Sequence, residues 1–373
     1  MVLTNGLENL SLLLHLQIEN CPNLKELSKG VGHLSSLQHF VIRECPKLMF
    51  LSEEMQYWTS LQTLSVVACA NLRDLPKGIT KLTSLQELEI NGCDFLVSLP
   101  EEMQQMKSLQ LLKIERCSHL RALPASLGNL SLLQVLEISS CNSLMSLPGE
   151  MQNLKSLDRL KIQGCDNLIL PEEKGNPYTL RVLAIIGCPN LEVLPGDLGN
   201  LQNLRLLEIT DCSSLTSLPR GLGELSSLGS LYIQRCLNLT LFPDTLPHMT
   251  SLRVLWLIEC PKLEVLSSGL RSLSALEKLT IWGCHKLIKL FPGEDFLGIQ
   301  ALNSLQELII SNCSKLQTLP YGLENLPSLK VLVIWNCPEL ESFENVMLQL
   351  KERKLQKLNI EHCPYLEIID DAS

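Results

Sequence analysis

The cysteines of this chain recur at a near-constant interval, and no other feature limits its possible folds so tightly. They stand at Cys21, Cys45, Cys69, Cys93, Cys117, Cys141, Cys165, Cys188, Cys212, Cys236, Cys260, Cys284, Cys313, Cys337 and Cys363. Successive spacings are 24 residues six times, then 23, then 24 four times, then 29, 24 and 26, and all 15 cysteines are used. A period of this length, sustained along a chain, marks a stacked repeat array in which each unit touches only its neighbours.

Aligned on cysteine, the unit reads most cleanly as Leu85-x-x-Leu88-x-Ile90-x-x-Cys93-x-x-Leu96-x-x-Leu99-Pro100-x-x-Met103-x-x-Met106-x-Ser108-Leu109. Apolar residues lie eight, five and three before each cysteine and three, six, ten and thirteen after it. The Leu88-x-Ile90 pair has period two, which predicts a short strand. Met103, Met106 and Leu109 recur every third residue after Pro100, which predicts a helical or 3-10 turn. A single unit cannot cover its own apolar edge. Stacked against neighbours it buries about seven side chains, each worth roughly 1.5–3 kcal/mol before the entropy of ordering is subtracted. The expected fold class is α/β, a solenoid with a parallel sheet inside and short helical or 3-10 turns outside, spanning 1–373 as a single domain of about fifteen repeats.

Composition agrees with many equivalent small contacts rather than one large core, since aromatics make up only 4% of the residues. A net charge of -9 argues against nucleic acid as a partner, because phosphate binding needs clustered Lys and Arg. No run is long and apolar enough to predict a membrane span. The early run from Leu10 to Leu16 falls in register with the later repeats and is read as repeat sequence rather than as an export signal. The array opens mid-repeat with Leu3, Leu7, Leu10 and Leu13, closes with Leu366 and Ile369, and shows no clear polar cap at either end.

Three units depart from the period. After Leu168 the Leu-Pro pair comes one residue early at Leu170-Pro171, and Glu172 to Tyr178 lacks the usual leucines. Additional residues follow Leu290, including Gly293-Glu294-Asp295-Phe296, and Phe343-Glu344 replaces Leu-Pro in the last interval. Neutral drift in loops is the simple reading; a contribution to binding is the alternative.

The chain shows no C-x-x-C, Gly-rich phosphate loop, G-x-S-x-G or H-E-x-x-H, so no metal, no cofactor and no enzymatic activity are expected. Each thiol is expected to fill its turn and donate weakly to backbone carbonyls, a structural cysteine ladder. In-register thiols on parallel strands point the same way and an odd number cannot pair completely, so reduced thiols and a cytoplasmic location are expected. His15 and His39 occupy equivalent positions in the first two repeats, but no third metal ligand accompanies them.

The phrase L-x-x-L-x-[IL]-x-x-C-x-x-L resembles the leucine-rich repeat. The longer phrase, Leu85-Gln86-Glu87-Leu88-Glu89-Ile90 with Cys93, Leu99-Pro100-Glu101-Glu102-Met103 and Ser108-Leu109, resembles the repeat region of plant nucleotide-binding disease-resistance proteins. The resemblance covers essentially the whole chain. It implies a right-handed horseshoe with a concave parallel sheet, and a recognition module of an intracellular immune receptor in plant defense. Its partner would then be a pathogen effector or a guarded host protein, with a nucleotide-binding domain outside this chain held inactive until recognition. Two alternatives stay open: a substrate-recognition arm of an F-box-type ubiquitin ligase, and a general intracellular protein-binding scaffold.

Residues four and two before each cysteine should face away from the core. From the fourth to the seventh repeat the first of these columns runs Glu89, Lys113, Glu137, Lys161, expected to form laddered ion pairs of small energetic value. From the eighth repeat the character changes, and the columns carry Ala184 and Ile186, Glu208 and Thr210, Tyr232 and Gln234, Trp256 and Ile258, Thr280 and Trp282, Ile309 and Ser311, Val333 and Trp335. Three of the 4 tryptophans fall here and none of the three replaces a leucine. The expected protein-binding patch is Tyr232, Trp256, Ile258, Trp282, Ile309, Val333 and Trp335, because exposed aromatics bury large areas on docking. Strand propensity alone also favours aromatics at such positions, and that reading remains beside it.

Overall fold

A computed structural model describes residues 7–27, 29–170, 179–244, 246, 249–291, 299, 301–341 and 355–366. The expectations attached to Leu3, Glu172–Tyr178, Gly293–Phe296, Phe343-Glu344 and Ile369 lie outside them. Backbone contacts divide the chain into two compact units, Met1–Cys188 and Pro189–Ser373.

The first unit holds β1 (His15–Glu19), β2 (His39–Arg43), β3 (Thr63–Val67), β4 (Glu87–Asn91), β5 (Leu111–Glu115), β6 (Val135–Ser139), β7 (Arg159–Gln163) and β8 (Val182–Ile186). The second holds β9 (Leu206–Thr210), β10 (Ser230–Gln234), β11 (Val254–Ile258), β12 (Lys278–Trp282), β13 (Glu307–Ser311), β14 (Val331–Trp335) and β15 (Lys357–Glu361). Within each unit consecutive strands pair in parallel, and the pairing is in repeat register: Glu89 lies opposite Lys113, and Tyr232 opposite Trp256. Register survives the irregular spacings, since Arg159 pairs with Val182, Lys278 with Glu307 and Val331 with Lys357.

Most strands alternate because their residues five and three before cysteine point inward; in the last strand, β15, neither is buried. In the fourth repeat Leu88, Ile90, Cys93, Leu96, Leu99, Met103 and Met106 are all buried, as the spacing predicted. Between strands the described return segments are 3-10 turns, begun by proline at Pro76, Pro124, Pro148, Pro195 and Pro219, while those after Leu99-Pro100 and Leu319-Pro320 start later, at Met103 and Leu323. Pro76, whose φ is -64, accepts the Ile79 N–H at 3.0 Å, so its fixed backbone serves as the first link of the turn. Where serine replaces that proline, its hydroxyl caps the turn instead, Ser52 Oγ accepting from Glu54 N and Ser267 Oγ from Gly269 N.

One regularity was not foreseen. The residue immediately before every one of the cysteines has positive φ, from Asn20 at 52° to His362 at 56°, with Gly92, Gly164, Gly187 and Gly283 among them. This left-handed residue turns the chain sharply out of the strand while its N–H continues the ladder. Glu44 N donates to Val67 O at 3.0 Å, and Ala68 N to Asn91 O at 2.7 Å. No Val, Ile or Thr occupies the position, in line with the steric cost of a branched Cβ there.

The cysteine that follows turns inward. All are free thiols, buried except for the partly exposed Cys21 and Cys363. Their Sγ atoms donate to the carbonyl two residues earlier, from 3.4 Å for Cys45 to 3.9 Å for Cys93. Burial pushes the thiols of Cys69 and Cys93 up to about 12, and those of Cys165 and Cys260 to about 11.

Candidate functional site

Outward-facing side chains of β9 to β14 carry all the aromatic and aliphatic groups expected to bind. On β10 and β11, Tyr232 and Trp256 face each other across neighbouring strands, ring centroids 4.8 Å apart and planes tilted by 51°. Ile258 lies opposite Trp282 on β12, and Ile309 on β13 opposite Val333 on β14. Tyr232, Trp256, Ile258, Ile309 and Val333 are half-buried, while Trp282 and Trp335 are 38% and 37% exposed. None of these is a core residue. The fourth tryptophan, Trp58, occupies a leucine position thirteen after Cys45 and is fully buried, its indole N–H donating to Val31 O at 2.6 Å.

The face is two clusters rather than one strip. Thr280 separates Trp256 from Ile309, and Ser311 separates Trp282 from Trp335. Three residues of the outward columns are covered instead of exposed: Ser311 is 8% exposed, Thr210 is 5%, and Ala184 is also buried. The reason is size. A short side chain flanked by bulky ones, as Ser311 is by the two tryptophans, sits below their surface.

Polar groups border the patch. Glu208 on β9 lies opposite Tyr232. Lys278 and Glu307 form an ion pair at 3.2 Å, and Trp335 meets the ring of His362 edge-on at 5.9 Å. Along the left-handed row, Arg235 grips Asp211 through two hydrogen bonds of 2.5 and 2.7 Å. Those bonds hold the Asp211 carboxyl below the usual carboxylate range. Beside them an open groove of about 370 Å³ is lined by Asp211, Arg235, Glu259, Gly283 and His285. His362 and this groove went unrecognised in the sequence because the row that carries them has no uniform residue type.

In the first unit the outward face is polar and largely self-compensated. Lys113 meets Glu89 at 3.6 Å and Glu115 at 3.3 Å, whereas Glu137 and Lys161, expected to pair, form no ion pair among the described residues. The second contact of Lys113 is to its own strand, two residues along. His15 and His39 stack at 4.5 Å with planes 6° apart. Parallel rings do not aim their nitrogens at a shared point, and among the described residues no group of three His, Cys, Asp or Glu side chains is placed to hold a metal. No helix among the described residues is long and apolar enough to cross a membrane.

Residues 170–362 match the family described as leucine-rich repeat region. No curated protein matches the chain in sequence. Among solved structures, the leucine-rich repeat domain of the type III effector XopL is 30% identical with a TM-score of 0.53, over 59% of this chain and 76% of that one. A leucine-rich-repeat protein of Leptospira interrogans is 24% identical with a TM-score of 0.58, covering 96% of this chain and 92% of that one. Toll of Drosophila, in its complex with Spatzle, is 17% identical with a TM-score of 0.60, covering 93% of this chain and 57% of that one. The last two likenesses concern the fold alone.

Proposed function

We propose, from the premise that this chain belongs to the leucine-rich-repeat family, that its second unit binds a protein partner through the outward face of β10 to β14. A leucine-rich-repeat array is a protein-interaction scaffold, and the proposal is where on this one the partner sits. The observation that carries it is the exposure of Trp282 and Trp335 in a chain whose other described strand faces are mostly polar or aliphatic. Large rigid rings lose little entropy on docking and bury much area, so they dominate contact energies. The reading assigns no catalysis and no cofactor.

The finer reading is a recognition module of an intracellular plant immune receptor, sensing an effector or a guarded host protein. Its support is the repeat phrase around Cys93 together with thiols held neutral by burial, which suit a reducing compartment. A ubiquitin-ligase arm and a free-standing scaffold are the competing assignments. The full-length transcript separates them: nucleotide-binding sequence beside this region supports the first and an F-box the second.

The face itself is tested by changing Trp256, Trp282 and Trp335 together to Ala. Binding to a purified partner isolated with the unaltered protein should weaken at least a hundredfold, with the melting temperature moved by no more than about 3 °C. Unimpaired binding by the triple variant would end the proposal.

A further inference from the structure

We infer that the face seats an arginine side chain of its protein partner over the Tyr232 and Trp256 rings, with the guanidinium charge met by Glu208. The inference rests on the reading of β10 to β14 as the partner-binding surface and specifies the partner's chemistry there.

Geometry supplies the first argument. The two rings lie 4.8 Å apart and are tilted by 51°, so they form an open V rather than a closed stack. Both are half-buried, held from beneath by the strands yet reachable from outside. Aromatic faces carry negative potential, and a planar cation lying on them gains from it. Arginine suits such a seat better than lysine because its guanidinium is flat and weakly hydrated.

Charge supplies the second. Glu208 lies directly opposite Tyr232, is half-exposed, and has no ion pair among the described residues. Three cations of the second unit already have carboxylate partners: Arg235 with Asp211, Lys278 with Glu307 at 3.2 Å, and Arg253 with Glu277 at 3.5 Å. A partner that covered these rings with an apolar or anionic group would strip water from Glu208 and return no counter-charge. A cation satisfies the carboxylate and both rings at once. The net charge of -9 adds long-range attraction of the same sign.

The test uses the full chain, the peptide acetyl-Leu-Arg-Leu-amide, and its neutral isostere with citrulline in place of arginine. Indole N–H resonances of the tryptophans report the site, with buried Trp58 as the internal reference. The arginine peptide should shift the Trp256 resonance saturably, with an affinity at least fivefold above that of the citrulline peptide. Glu208→Gln should remove that difference. Equal affinities for the two peptides, or an arginine preference that persists in Glu208→Gln, would overturn the inference while leaving the apolar recognition face intact. No shift at Trp256 with either peptide overturns it as well. Failure of the parent reading would show elsewhere, as retained partner binding by the triple tryptophan variant.

Discussion

The indole N–H of Trp58 donates to the carbonyl of Val31 one repeat earlier, at 2.6 Å, so a side chain on a leucine position ties two adjacent returns together. In the repeats on either side that position is the apolar Leu34 and Leu82. Replacing Trp58 with Phe keeps most of the packing but leaves the Val31 carbonyl without its donor, and should cost about 1–3 kcal/mol. Trp58→Ala should cost about 3–5 kcal/mol through the cavity it opens. Urea denaturation of the two variants measures this. A Trp58→Phe variant as stable as the unaltered protein would mean that the hydrogen bond contributes nothing.

The left-handed residue before each cysteine makes a conformational prediction. Gly92 has φ of 65°, and a Cβ there would stand 3.3 Å from Ala68 Cα. Gly92→Val should therefore destabilise by about 2 kcal/mol or more, because a branched side chain is strained at that φ. Ala68 is itself left-handed at 52°, so Ala68→Gly should be neutral or raise stability by up to about 1 kcal/mol. Thermal melts of both variants decide it, and a stabilised Gly92→Val would refute the steric account.

The thiols predict a pH dependence with a definite sign. A free thiol titrates near 9.0, whereas burial raises Cys69 and Cys93 to about 12. A raised acid pKa means that the fold prefers the neutral form. The associated stability is complete below pH 9.0 and is lost as the pH climbs toward about 12, while the unfolded chain ionises and the folded one does not. Each such thiol contributes a slope of about 1.4 kcal/mol per pH unit. The urea midpoint should be flat in this respect from pH 7 to 8 and fall between pH 9 and 10.5. At pH 7.5 an aromatic disulfide reagent should label at most the partly exposed Cys21 and Cys363, and all 15 thiols after denaturation.

A charge buried in one repeat should act locally. Leu207 on β9 is fully buried. Leu207→Asp should raise amide exchange in β9 and β10 by at least a hundredfold while β13 and β14 keep most of their protection, as expected when each repeat leans only on its neighbours. Loss of protection throughout the second unit would show instead that the unit unfolds as one.

Much of this architecture can be read from residue spacing. The cysteine interval locates every strand, and the apolar positions around Cys93 are the ones the structure buries. The left-handed bend was invisible because its occupants, among them Glu44, Arg116 and Asp211, share a backbone angle and no side-chain chemistry. The covering of Ser311 escaped notice for another reason: exposure on a sheet depends on neighbours across strands, which a column read one position at a time does not weigh. Tyr232, Trp256 and Trp282 were identifiable since they sit between leucine positions. The pairing of Lys113 with Glu115 was missed because the two share a strand and alternation was read only from one strand to the next.

The bend before each cysteine asks for a backbone angle and very little else. Each repeat can therefore exchange the group it displays at that rim, acid for base or amide for glycine, without renegotiating the hydrophobic stack beneath it. Asp211, Arg235, Glu259 and Gly283 occupy successive rim steps on one unchanged scaffold. Such a chain can acquire a new specificity one repeat at a time, with folding and recognition changing almost independently.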